Sequence, residues 1–367
     1  MNITISHSVG DEQRTDANGR ELGRLGVCID RRCRRNAQTL SARLPYFWSR
    51  HSEAEAKRNK DPFVVLNKPM VIGLTGASGF LGQEIIRQAV SQGEQVVAYS
   101  RTPNKPVSEA IRTEAFSPGM TVSNLDAILH LAGESISGPW TKARRDRILQ
   151  SRVQGTRWVV EGLQNAPNPP RTLICASGVN IYGDRGEEEL VEESPVGSSG
   201  FLCSVGVAWE AEAMRATSFG VRVVSIRMAM VLGRKGALPL MLPAFWLGLG
   251  GRLGSGNQWM PWIHVEDAAN LFLHAAREES LAGPVNGLSP FPVRNRDFTR
   301  ILGSTLRRPT FLVVPSFILR TALQDQASLL LESQRALPKR ALETGFRFRF
   351  PYLEDALQNL LKERRPP

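Results

Sequence analysis

Gly76, Gly79 and Gly82 close an apolar run in the stretch MVIGLTGASGFLG, from Met70 to Gly82. Glycines at this spacing let the chain turn tightly, bring backbone N–H groups close to a pyrophosphate, and let the next helix pack on the strand. The context is right on both sides: Val71, Ile72 and Leu74 form a strand, and Phe80, Leu81, Ile85, Ile86, Ala89 and Val90 recur at helical spacing. The helix amino terminus then faces the phosphates with its partial positive charge. The chemistry is a grip on a dinucleotide; a strand–turn–helix that holds no ligand is the alternative. The next strand, Gln95 to Ser100, ends at Arg101, about 20 residues beyond the turn, where the adenosine ribose of a dinucleotide lies. An acidic side chain there would mark NAD. A guanidinium forks onto a 2′-phosphate and stacks on adenine, so Arg101 favours NADP, against a plain solvated arginine at a strand end.

The elements that must position these residues alternate strand and helix from Met70, as an α/β, doubly wound parallel sheet requires. Strands are expected at Asp126 to Leu131, Arg171 to Ser177 and Val221 to Arg227, and helices at Lys142 to Gln164 and Phe201 to Ser218. Right-handed crossovers put the strand ends on one edge, so Gly76, Ala132 and Ser177 should converge there. Residues 70–232 form this dinucleotide domain. Residues 233–333 read as a smaller substrate-side region, with a Gly/Pro-rich excursion from Gly233 to Gly256 that either covers the cleft or is a packed apolar connection. Helices near His264 to Glu278, Asp297 to Leu306 and Pro315 to Glu332 follow, and residues 334–367 end in an amphipathic helix. Residues 1–69 read as a polar, basic leader expected to stay disordered, or as translated upstream sequence if Met70 is the biological start.

The 367 residues carry a net charge of +11, but residues 1–69 hold 13 Lys/Arg against 8 Asp/Glu, net +5, which leaves +6 for the remaining 298 residues, so much of the excess is concentrated in a short leader. Arg31, Arg32, Arg34 and Arg35 come without the aromatic pattern of a nucleic-acid surface, so no nucleic-acid partner is expected. The leader lacks the apolar core of a secretory signal, and Asp11, Glu12, Asp16 and Glu21 argue against a transit peptide. No apolar run reaches the roughly 18 to 20 residues that span a bilayer. Cys28, Cys33, Cys175 and Cys203 show neither paired nor metal spacing, so no metal is expected and a reducing cytoplasm fits.

The stretches TGASGFLG, LHLAGESISGPWTKARRDRILQSRVQGT, LICASGVNIYGDRGEE, WEAEA, IRMAMVLGRKGALPLMLPAFWLGLGGRLGSGNQWMPWIHVEDAA and QRALPKRALETGFRFRFP cover nearly everything from Met70 onward. Together they resemble the extended or atypical branch of the short-chain dehydrogenase/reductases, and within it the epimerase group with a short C-terminal domain of unknown function. The resemblance implies a Rossmann-like cleft holding NADP. Thr75, Gly76, Ser78, Gly79, Phe80, Leu81 and Gly82 would lie at the pyrophosphate and Arg101 at the 2′-phosphate. Leu131, Ala132 and Gly133 would lie along the cofactor, with Ser177 beside the nicotinamide. Trp259, Trp262, His264 and Asp267 would order the substrate side.

The chain departs from that superfamily at its acid/base pair. The Tyr-x-x-x-Lys expected on the helix after the serine strand reads Phe201 to Val205, so the phenol and the ammonium are both missing. Three readings stay open. In the first, Tyr182 or Glu134 joins Ser177 and supplies the proton in a relocated oxidoreductase or nucleotide-sugar epimerase acting on a small molecule. In the second, the fold senses NADP without turning it over and regulates a protein partner, with exposed apolar residues around Phe245 to Leu249 as the contact. In the third, the turn is empty and the fold a scaffold. A homodimer is compatible with each.

Overall fold

Five apolar, β-branched runs and two short edge segments give seven parallel strands in one sheet. They are β1 (Val71–Thr75), β2 (Gln95–Ser100), β3 (Arg112–Ala115), β4 (Ala127–His130), β5 (Thr172–Gly178), β6 (Arg222–Met228) and β7 (Gly283–Gly287). The spatial order is β7-β6-β5-β4-β1-β2-β3. The register runs Thr75 beside Tyr99 and His130, and Cys175 beside His130 and Ser225. The central strands are buried on both faces, which is why they read as continuous apolar runs rather than alternating ones. The computed structural model describes residues 69–362, all within a unit that starts at Asn67. The expectations for the leader lie outside the described residues.

The helices are α1 (Phe80–Ser91), α2 (Lys142–Asn165), α3 (Phe201–Met214), α4 (Ala237–Trp246), α5 (Val265–Arg277), α6 (Asn295–Leu306), α7 (Ser316–Leu323) and a closing helix, Leu353–Leu361. α1 packs on α5 and α2 on α3, so the sheet is covered on both sides. Strand order reverses at β1 and β4, and the crevice beyond their carboxyl ends is where such sheets bind ligands.

Three elements differ from the sequence expectation. β3 is short and polar, an edge strand with no apolar period to announce it. β7 reads GPVNG, turn-like residues that become a strand only because β6 offers an unpaired edge. The helix expected over Pro315 to Glu332 is broken at Gln324, whose φ of 50° interrupts the helical path, and resumes at Ser328–Leu331.

The excursion after Gly233 folds into α4 and a short strand, Gly251–Leu253, paired in parallel with Leu312–Val314. Leu238, Leu242 and Phe245 of α4 enter a second core with Trp262, Phe298, Leu302, Leu353 and Leu357. That core joins α4, α6 and the closing helix, so the residues on either side of 333 share one apolar interior.

Candidate functional site

The glycine turn leaves no room for a side chain. Gly76 has φ 71°, and a Cβ there would stand 3.0 Å from the backbone of Leu131 and Ala132. At Gly82 a Cβ would stand 2.2 Å from the Gly76 carbonyl oxygen, a backbone atom that cannot swing aside. The Gly79 N–H donates to the Gly76 carbonyl at 2.9 Å, and Gly79 caps α1 without any side-chain hydrogen bond or acidic residue in the first turn. The helix terminus therefore presents its positive end with no carboxylate of its own to neutralise it. Ser78 and Gly79 are exposed on this turn, while Phe80 and Leu81 are half-buried, the Phe80 ring held against Gly233 and Gly236.

β4 is fastened to β1 at the same edge. The Thr75 hydroxyl accepts the N–H groups of Leu131 and Ala132, each at 3.1 Å, and lies 2.7 Å from His130 Nδ1. With two amides donating to it, the hydroxyl gives its proton to Nδ1, which leaves the proton of a neutral imidazole on Nε2. Burial pushes His130 down to about 3, in keeping with a neutral ring. Gly76 thus meets Leu131 and Ala132 at this edge, and Gly133 follows exposed. Arg101 is exposed just past the end of β2, at the same edge of the sheet.

Beneath the Leu131–Gly133 turn lies Arg152, which the sequence reading did not single out. Its Nη1 donates to the carbonyls of Glu134 and Ile148, and its guanidinium sits 4.9 Å from the Trp209 ring centroid. Burial lowers it to about 10, so it remains charged at neutral pH. Glu134 is partly exposed. Its N–H donates to Ser151 Oγ and its carboxylate lies 3.5 Å from Arg144.

Ser177, next to last in β5, belongs to a buried polar chain. Its Oγ donates to Glu210 Oε1 at 2.8 Å, and Glu210 takes a two-pronged pair from Arg227, each bond 2.9 Å. Arg227 Nη1 donates to the Tyr182 hydroxyl at 2.9 Å, and that hydroxyl in turn donates to Asn286 Oδ1 at 2.8 Å. Tyr182 is wholly buried, and burial raises its phenol above the ordinary value. The expectation that Tyr182 supplies a proton is corrected on this ground: its hydroxyl is spoken for inside the core and faces no open space. Glu210 and Arg227 were legible only as letters in WEAEA and IRMAM, because nothing local ties them to Ser177.

The tryptophan-histidine run is also corrected. Trp262 is buried in the second core. His264 caps α5, its Nδ1 accepting the Glu266 N–H at 3.1 Å, and its ring lies on Phe350 with centroids 4.0 Å apart. Asp267 accepts the backbone N–H groups of Arg349 at 2.7 Å and Phe350 at 2.9 Å. Burial drives His264 down to about 4 and Asp267 up to about 6. These three residues clasp the C-terminal segment to the core rather than lining a substrate cleft. Trp259 is half-buried, its indole N–H donating to Glu187 and its ring near Arg294 and Arg335.

An open cleft of about 430 Å³ lies at the amino end of α3, lined by Arg145, Asn180, Phe201, Cys203, Arg320 and Glu332 among others. No glycine-turn residue lines it. The Phe201 ring packs edge-on against Trp140 at 5.2 Å. A strap over residues 324–331 closes one wall: Asp325 pairs with Arg145, and Gln326 donates to the carbonyls of Ile136 and Gly138.

Comparison with known proteins settles the kinship. The sequence profile of the NAD dependent epimerase/dehydratase family matches residues 72–286. The chain belongs to that family. A second profile, a domain of unknown function called DUF1731, matches residues 314–360, the part of this epimerase-family chain that His264 and Asp267 hold in place. Its relatives include epimerase family protein YfhF of Bacillus subtilis, 38% identical over 301 residues that cover 81% of this chain and 99% of that one. Human epimerase family protein SDR39U1 is 34% identical over 78% of this chain and 98% of its own length. A crystal structure of the human protein with NADPH superposes with a TM-score of 0.75 at 32% identity, covering 80% of this chain and all of that one. A nucleoside-diphosphate sugar epimerase from Corynebacterium glutamicum superposes at 0.65 with 29% identity, over 80% of this chain and 58% of that one. Among the described residues of this epimerase-family chain, no helix is long and apolar enough to cross a membrane.

Proposed function

We propose that this chain binds NADP(H) across the carboxyl ends of β1 and β4, and that it is an oxidoreductase or epimerase acting on a small hydroxylated or nucleotide-linked substrate. The cradle carries the reading. Gly82 stands where any Cβ would strike the Gly76 carbonyl at 2.2 Å, beside a helix terminus that no side chain caps. Thr75 to Gly82 would hold the pyrophosphate, Arg101 the 2′-phosphate, and Leu131 to Gly133 the length of the cofactor. Bound there, the nicotinamide would give or take a hydride. The solved human relative carries NADPH, and the Corynebacterium protein is described as a sugar-nucleotide epimerase, which supports both the cofactor and the substrate class.

The protein's own part is to orient and to handle a proton. Ser177 commits its hydroxyl proton to Glu210, so its oxygen offers lone pairs and suits a substrate hydroxyl that donates. Glu134 is the partly exposed carboxylate beside the Leu131–Gly133 turn, placed as a candidate proton acceptor. The polar cleft by Phe201 suits the remainder of the substrate. Calorimetry with NADPH and NADH, followed by product chromatography on a panel of carbonyl compounds and nucleotide sugars, tests this. An epimerase returns its hydride and leaves NADPH absorbance unchanged, so absorbance alone is not enough.

A second reading is favoured by the apolar pair Phe201 and Val205 and by the locked Tyr182: a sensor that binds NADP(H) and passes its occupancy to a protein partner. NADPH binding without product from any substrate would select it. Absence of binding would defeat both readings and leave a scaffold.

A further inference from the structure

The face formed by α4, the turn after it and the segment from Arg307 to α7 is apolar where a surface is ordinarily polar. α4 contains no charged residue. One side of it, with Leu238 and Leu242, is buried, while Leu240 is 74% exposed and Leu247, at its end, 75%. A helix apolar all round is ordinarily enclosed, and this one is covered on one side only. The turn after α4 lies along the second segment: Gly248 faces Pro309, and Gly251 pairs with Leu312. There Phe311 stands 77% exposed, and Phe317, on the adjoining α7, 67%. None of the residues of α7 is buried.

The two segments that form this face carry charge of one sign. Neither residues 237–265 nor residues 298–324 contain an aspartate or glutamate. Arg307 and Arg308 end α6 directly before the apolar segment, and Arg252 lies on the strand paired with it; all three are exposed. A second copy of the chain docking face to face would bring these arginines onto arginines. Side chains exposed by two thirds or more project outward instead of lining a groove, so they suit a soft, insertable medium better than a shaped partner.

We propose that this face docks on an anionic lipid surface, with Leu247, Phe311 and Phe317 entering the headgroup and acyl boundary and Arg307 and Arg308 meeting lipid phosphates. Apolar projections with a basic rim are the two terms that bind a protein peripherally, without a span. The face adjoins the cleft, since α7 supplies Arg320 to its wall. Docking would therefore place that cleft at the bilayer edge.

The test is co-sedimentation of the full chain with phosphatidylcholine vesicles with and without phosphatidylglycerol. The expected result is sedimentation with the anionic vesicles only. Each arginine near an anionic surface contributes about fivefold to partitioning, so R307E/R308E should lower it by at least about twenty-five-fold, and F311S/F317S should also release the protein. Unchanged circular dichroism and unfolding midpoints would show that both variants fold. No binding to anionic vesicles overturns the proposal. So does binding that survives both variants, which would belong to another part of the chain. A dimer that F311S/F317S converts to monomer gives the face to a second copy and overturns it as well.

Discussion

Ser177 and Glu210 stand 2.8 Å apart, hydroxyl to carboxylate, near the carboxyl end of the strand that carries the serine. Glu210 is held on its other side by Arg227, and the pair is nearly enclosed, with side chains 14% and 6% exposed. Removing one member of such a pair leaves the other charged and alone, which costs about 3 to 5 kcal/mol. Glu210→Ala should therefore lose about that much stability in urea denaturation, whereas Ser177→Ala should lose about 1 kcal/mol. If Ser177 orients a substrate hydroxyl, Ser177→Ala lowers turnover far more than NADPH affinity.

Tyr182→Phe separates the buried role of this phenol from a catalytic one. The variant strands Asn286 Oδ1 and one Arg227 donor, so a loss of about 1 to 3 kcal/mol in stability is expected. Cofactor affinity and turnover per folded molecule should stay near wild type. Abolished turnover in a stable variant would return Tyr182 to the mechanism.

Arg101→Ala should weaken NADPH by about 1.5 to 3 kcal/mol, the worth of a lost charge-assisted contact, and leave NADH nearly unchanged. Isothermal titration with both cofactors reads the difference. Equal weakening would mean the guanidinium does not meet the 2′-phosphate.

Gly82→Ala puts a methyl group 2.2 Å from a backbone oxygen. The helix must lift from the strand, so NADPH should no longer raise the unfolding temperature. Retained stabilisation by NADPH would count against the cradle.

His264 makes stability fall in acid. Its native value of about 4 lies below the unfolded 6.5, so the unfolded chain takes the proton first; the contribution is full above pH 6.5 and declines as pH falls toward 4. Asp267 acts oppositely: its native value of about 6 exceeds 3.8, so stability rises as pH falls through 6. His264→Asn keeps a side chain able to cap α5 and removes the titration. Between pH 7 and pH 5 it should lose less stability than wild type, by on the order of 2 kcal/mol, as read from urea midpoints at both pH values.

The sequence by itself determined the glycine turn, the order of the central strands and helices, and the convergence of Gly76 with Ala132. Each follows from local periodicity and backbone sterics, which neighbouring residues decide among themselves. β3 and β7 were illegible because an edge strand borrows its conformation from the strand beside it. Only the tertiary structure decided what Tyr182, Trp262, His264 and Asp267 do. A side chain's role depends on what the fold sets against it, and the partners of these four, Asn286, the second core and the Arg349–Phe350 backbone, come from distant parts of the chain. Glu210, Arg227 and Arg152 carry the same lesson in reverse: letters without a local signal that long-range packing turns into a buried network behind Ser177 and the Leu131–Gly133 turn.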